Sequence, residues 1–214
     1  MTRPPRRYIA ISVLLLLAAL TTSAAEAPSG QGPGQSQVAG RHLPSIAFSG
    51  QRFLPYKIQR IDNGWGAYYT IDTEHPDAAK DSIVVNHMST RDGQGHVIEP
   101  EQLAHEMLDG VRSRGGTLIT PFSVPDPSSP GRFTYYAIFY YVHAKDGYGE
   151  VWMSRVFQSK QGIIEILYRH TIDGSGPSVI ETNIQNWLLQ NVQARGSDLS
   201  NLAVPARPQE PDVR

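Results

Sequence analysis

The 214-residue chain contains no cysteine. That absence excludes disulfides, thiol nucleophiles, cysteine-held zinc or iron–sulfur sites, and a lipid attached through an N-terminal cysteine. The most apolar stretch, Ile9–Leu20, has 12 residues. As a helix it rises only about 18 Å, well short of a hydrocarbon core of about 30 Å. Three familiar spacings are also missing: the G-x-S-x-G elbow of serine hydrolases, the G-x-x-x-x-G-K-[ST] phosphate loop, and the H-E-x-x-H pair of zinc hydrolases. Each would have supplied a mechanism.

What is present at the N-terminus reads as an export signal over residues 1–25. Arg3, Arg6 and Arg7 precede the apolar core, and Ser23-Ala24-Ala25 offers small residues for cleavage after Ala25. Processing there removes three of 19 basic residues and none of 20 acidic ones, leaving 16 against 20 and a net charge of −4. No basic stripe remains for nucleic acid. A secreted chain of this size without disulfides fits a bacterial periplasm or the outside medium better than a eukaryotic secretory route. After processing, no membrane span is expected.

Residues 26–42 are rich in Gly, Pro, Ser and Gln, which predicts a flexible linker. Residues 194–214, with Pro205, Pro208 and Pro211, predict a disordered tail. Residues 43–193 between them have the size of one domain with one core.

Within that domain Asn63-Gly64 separates two strand-like runs and predicts a hairpin. "DSIVVNHMST" (81–90) reads as a strand. In "EPEQLAHEMLDGVRSRGG", Leu103, Ala104, Met107, Leu108 and Val111 recur at helical spacing, with Pro100 in the first turn and Gly115-Gly116 as the stop. Four strand candidates follow, "TLITPFSV", "RFTYYAIFYYVHA", "GEVWMSRVFQSK" and "GIIEILYRHTI". Their short breaks predict an antiparallel meander. A closing helix over "PSVIETNIQNWLLQNV" carries Ile180, Ile184, Trp187, Leu188 and Val192 on one face, with Ser178 and Glu181 spaced as a capping box. The long strands are apolar on both faces, so both need covers. Two amphipathic helices are the natural ones. The expected class is α+β, an antiparallel sheet sandwiched between helices (α/β/α).

This order of elements resembles the PsbP/Mog1-like sandwich family. The resemblance is carried by "DSIVVNHM", "EQLAHEMLDGVRSRGG", "EVWMSRVFQSKQGIIEILYRHT" and "ETNIQNWLLQNV", over roughly residues 65–193. In particular "F-x-x-x-x-G-I-I-E-I-L-Y" (Phe157–Tyr168) is similar to that family's penultimate hairpin. The resemblance lies in element order and not in an invariant motif. It implies a binding or assembly module with no shared catalytic centre, so no catalytic residue carries over.

Three groups of residues compete as sites. His87, His96 and His105 stand among carboxylates, which could indicate a metal centre or only a loop and a solvated helix. His105 and Glu101 fall on one exposed flank at the spacing of a surface pair, favouring the plainer reading. On the meander, Glu165 and Arg169 flank Leu167 on one sheet face while His170 lies on the other, and Arg155 on the neighbouring strand is within reach of pairing. His143 and Asp173 are nearby. A half-buried charge needs a partner or a cavity, so these residues are a structural ion pair, a polar binding patch or a general acid/base pair, the last of which would need a cleft and a shifted pKa. Finally, Trp65, Tyr68, Tyr69, Tyr135, Tyr136, Tyr140 and Tyr141 lie on strands, where they serve as core or as a binding surface.

The expectation is an exported, non-catalytic accessory or binding protein that contacts another envelope or periplasmic protein. Its binding residues would be Tyr135, Tyr141, Arg155, Glu165, Arg169 and His170, with no catalytic residue, no cofactor and no metal. The alternative is a small metal-dependent hydrolase using His, Glu and Asp side chains.

Overall fold

The computed structural model describes residues 43–61, 63–71, 79–126 and 129–205. The expected export signal, the linker of residues 26–42 and the tail beyond residue 205 lie outside them. In chain order the elements are β1 (Ile46–Phe48), β2 (Gln51–Ile61), β3 (Gly64–Ile71), β4 (Asp81–Met88), α1 (Pro100–Ser113), β5 (Thr117–Pro125), β6 (Phe133–His143), β7 (Tyr148–Ser159), β8 (Gly162–Asp173) and α2 (Pro177–Asn201).

All eight strands form one antiparallel sheet in the order β1-β2-β3-β4-β8-β7-β6-β5. The second half is the expected meander, running inward from β5 until β8 pairs with β4. Helix α1 therefore carries the chain past three strands to the far edge. Beyond the expected hairpin there is an earlier one. Phe48 pairs with Gln51 across Ser49 (φ 51°) and Gly50 (φ 73°), and two positive φ angles make the tight reversal that suits twisted strands. At the second hairpin Ile61 pairs with Gly64, so Gly64 begins β3 and the reversal falls one residue earlier than expected.

The expected α/β/α sandwich is not what forms. The sheet is a curled half-barrel to which two helices are added. The curl is visible in one contact. β1 and β8 are four strand steps apart, about 19 Å in a flat sheet, yet the rings of Phe48 and Tyr168 stand 4.9 Å apart. Bulges at Pro55/Lys57 in β2 and Leu118/Thr120 in β5 add to the bend. The first strands are thus buried largely by the sheet folding towards itself, with Ile46, Phe48, Phe53 and Tyr69 in one cluster with Ile166 and Tyr168. A covering helix for the whole of each face is unnecessary.

Each helix covers only a patch. Met107, Leu108 and Val111 of α1 pack on Phe139, Trp152, Leu167 and Val84, which matches the apolar face read from the sequence. Pro100 opens the helix after Glu99, and Gly115 closes it at φ 76° with its N–H on the Arg112 carbonyl. Ile180 and Ile184 of α2 pack on Val151 and Ile172. They come close because β7 has Gly149 there; a Cβ would lie 2.6 Å from Ile180 Cγ2.

Two expectations about α2 are corrected. Ser178 is not its cap: the helix follows Gly176, with Pro177 in the first turn and no side-chain capping bond. Nor does the domain end at residue 193. The helix runs to Asn201, with Leu199 and Leu202 buried. Leu199 lies seven residues after Val192 and so continues the same stripe. Asp198 accepts a hydrogen bond from the Ser49 hydroxyl, and Arg195 lies over the rings of Phe48 and Tyr168.

Candidate binding site

β5 is the outermost strand and pairs only with β6. Among the described residues seven large hydrophobics are exposed, and four of them gather here: Ile119, Phe122 and Val124 on β5, and Phe133 at the start of β6. A concentration of that kind makes this edge a candidate interaction surface, with Phe122 and Val124 on the sheet face of Tyr136 and Phe133, opposite Pro125, on the face of Tyr135. Phe122 stacks on Tyr136 with ring centroids 4.9 Å apart, which fixes it in place at 48 % exposure. Pro121 and Pro125 keep their places opposite Ala137 and Phe133. A proline fits a ladder only where its missing N–H points away from the partner strand. The outer edge therefore lacks two donors, and a partner would be held by side chains more than by strand addition.

Two hollows meet this edge. One, of about 200 Å³, lies between α1 and the β5–β6–β7 strip. Its floor is Ala137 and Ser154, which face each other in register and leave a gap between the bulkier Tyr135, Phe139 and Trp152. Glu101, His105 and Leu108 of α1 and Tyr135 of β6 form its walls. The other, of about 280 Å³, lies between the same edge and α2, lined by Ile138, Met153, Val192 and Gly196. Phe122 borders both. Partial burial raises the pKa of Tyr135, and the carboxylates of Glu101 and Glu99 add to the rise. The first hollow thus has an apolar floor and a negative mouth.

Of the six residues expected to bind, Tyr135 lines the first of these two hollows and the other five line neither, and the structure separates those five. Tyr141 and Arg169 meet around Glu150. Its carboxylate accepts from Trp152 Nε1 at 3.1 Å and Arg169 Nη1 at 3.3 Å, with His143 Nε2 at 3.5 Å. Tyr141 lies directly opposite Glu150 in register and is buried. Glu165 is buried further along the same face and accepts from Asn86 Nδ2 at 2.7 Å. Burial pushes its carboxyl up, and the bond from Asn86 only partly offsets this.

Arg155 does not pair with Glu165 or Arg169. Its register partner is Ile166, on the other face, where it donates to the carbonyls of Leu199 (3.2 Å) and Leu202 (3.4 Å). It closes the C-terminal end of α2, where carbonyls lack helical partners and the dipole favours a cation. His170 shares that face with Asp81. Its Nδ1 lies 2.9 Å from Asp81 Oδ1, the Tyr168 hydroxyl donates to the same oxygen, and its ring stacks on Trp187 at 4.7 Å. Burial pushes the Asp81 carboxyl up, but the bonds from His170 and Tyr168, aided by the charges of His170 and Arg195, outweigh it and hold the group below the usual carboxylate range.

The three histidines stay apart. His96 is tied to Asp92 in an exposed turn, its Nδ1 2.9 Å from Oδ2. His105 is exposed on α1. His87 is buried at 3 % exposure, against the expectation of a solvated position. No group of three His, Cys, Asp or Glu side chains among the described residues is placed to hold a metal ion. Tyr68 and Tyr69 are core. The sequence reading missed Asp81, Asn86 and Glu150, the partners of the very charges it singled out. It also missed Ile119, Phe122, Val124 and Phe133. For the last group a signal existed: prolines inside an apolar strand mark an edge.

Comparison with known proteins adds little. No family model matches the chain. No curated protein matches it either. Among solved structures, a point-mutant form of Protein Mog1 is similar at 13 % identity and a TM-score of 0.38, over 73 % of this chain and 94 % of that one. A superposition that loose carries no argument about fold or role. No described helix is long and apolar enough to cross a membrane.

Proposed function

We propose that this chain is an exported, non-catalytic accessory protein of the bacterial cell envelope, which works by holding another envelope or periplasmic protein at the β5–β6 edge. The gathering of Ile119, Phe122, Val124 and Phe133 on one outer strand and its neighbour carries the reading. The N-terminal export signal in the sequence supports the location. The order of elements supports a distant place among PsbP/Mog1-like proteins. For the metal-dependent hydrolase, no group of three His, Asp or Glu side chains among the described residues is placed to hold a metal ion.

Affinity capture from the exporting cell tests the proposal when the parent chain and an Ile119→Ser, Phe122→Ser, Phe133→Ser variant are run side by side. A co-purifying envelope protein that is lost with the variant supports it. Identical captured sets from the two chains overturn it.

A further inference from the structure

The hollow beside α1 is built for one particular kind of group. Its volume of about 200 Å³ falls below the roughly 300–1,000 Å³ of clefts that enclose a small-molecule ligand. It is a one-side-chain pocket, the size of an interface anchor. The floor and inner wall are apolar or small: Ala137, Ser154, Val156 and Leu108. The Ser154 hydroxyl is already directed at the Ala137 carbonyl, 3.5 Å away, and so makes no demand on an occupant.

The mouth differs from the floor. Glu101 lines it, and Glu99 stands close enough for both carboxylates to act on the Tyr135 hydroxyl. Neither carboxylate takes part in an ion pair among the described residues. His105, Tyr135 and Tyr136 are the other titratable groups in the lining. The Tyr135 ring forms one wall, half-exposed.

From this we infer that the hollow receives an arginine side chain of the partner protein. An arginine has an apolar stem for the Ala137–Leu108 floor. Its planar guanidinium stacks on the Tyr135 ring and pairs with Glu101 at the rim. A purely apolar anchor would leave the two carboxylates beside the seam desolvated and unpaired. A lysine offers the charge without the flat face. The inference rests on the edge being a docking surface and adds the chemistry of what docks.

The test is a titration of the ¹⁵N-labelled protein with N-acetyl-arginine amide to about 50 mM, a range that detects millimolar affinity. N-acetyl-citrulline amide, which has the same shape without the charge, is the control. The arginine amide is expected to shift the amides of Tyr135, Ala137 and Ser154 along saturating curves, and the citrulline amide to leave them in place. Glu101→Gln is expected to weaken the arginine curve by about three-fold, the size of one exposed charge contact. Ala137→Leu, which fills the floor, should abolish it. If that variant does not fold, Tyr135→Leu at the rim takes its place. Equal shifts from both amides, or none from either, overturn the inference. Patch-dependent capture of a protein, combined with a failed arginine titration, would remove the arginine and leave the docking surface standing.

Discussion

The interior of the sheet and its β5–β6 edge treat polar and apolar groups in opposite ways. Inside, the charges are held by neighbours: Asp81 by His170 and Tyr168, Glu150 by Arg169 and Trp152, and Arg155 by the end of α2. At the edge, Phe122 and Ile119 meet solvent, and Glu99 and Glu101 have no described counter-ion. Groups already satisfied within the fold have little left to offer a ligand. Apolar side chains left exposed on a rigid strand cost solubility unless something covers them, and unpaired carboxylates beside them favour a cationic cover. Under the proposed function, recognition lies at the edge and cohesion inside, although the interior residues look more like chemistry in the sequence.

The largest effect should come from the interior. Asp81→Ala removes the acceptor shared by His170 and Tyr168 and should cost about 3 kcal/mol in urea unfolding, as expected when a buried pair loses one partner. Because its folded-state pKa is lowered, Asp81 stabilises fully above the ordinary carboxylate pKa of about 3.9, and the contribution disappears as pH falls through the folded-state value. The parent should therefore lose its advantage over the variant on acidification. A gap that stays constant from neutral to acid pH would show that Asp81 acts by shape alone.

Glu165, on the opposite face, sharpens the comparison with the reverse sign. Its folded-state pKa is raised. Its contribution is thus complete below the unfolded carboxyl pKa of about 4.3 and is lost as pH rises through the folded value. Glu165→Gln should accordingly melt higher than the parent at neutral pH by an amount worth about 1 kcal/mol, with the two converging near pH 4. Thermal melts across that pH series decide it; a variant less stable at every pH would contradict the assigned cause.

The smallest effect belongs to the edge. Ile119→Ser, Phe122→Ser and Phe133→Ser should each change stability by no more than about 0.5 kcal/mol, as solvent-facing substitutions do. A loss of several kcal/mol would mean that these side chains belong to the core, and the contrast between the two regions would fail.

Much of this fold was legible in the sequence. The α1 face from Leu103 to Val111, the meander and the double-sided apolar strands each follow from one period or one short turn. The curl was not, because it depends on contacts such as Phe48 with Tyr168, 120 positions apart in the sequence. The first part of β2 was obscured by Pro55, which breaks the strand pattern yet sits at a bulge. The last turns of α2 were hidden by Gly196 and by the polar run Gly196-Ser197-Asp198, which looks like a linker until Leu199 is seen to be buried. Among the expected site residues, alternation placed Glu165 and His170 on opposite faces correctly. It could not supply Asp81, Asn86 and Glu150, whose positions depend on which strands become neighbours. Tyr135 was chosen for its ring, and the pocket beneath it comes from Ala137 and Ser154, residues that attract no notice in a sequence.

The central claim is tested most directly by photo-crosslinking in the exporting cell, with the reactive residue placed at Phe122 in one chain and at Leu189 in another. Leu189 is the more exposed of the two, at 84 % against 48 %, but the other exposed large hydrophobic on α2, Val179, lies ten residues away from it. A discrete protein adduct from position 122 and only background from position 189 is the predicted result. Adducts from 189 equal to or exceeding those from 122 would contradict the assignment of recognition to the β5–β6 edge.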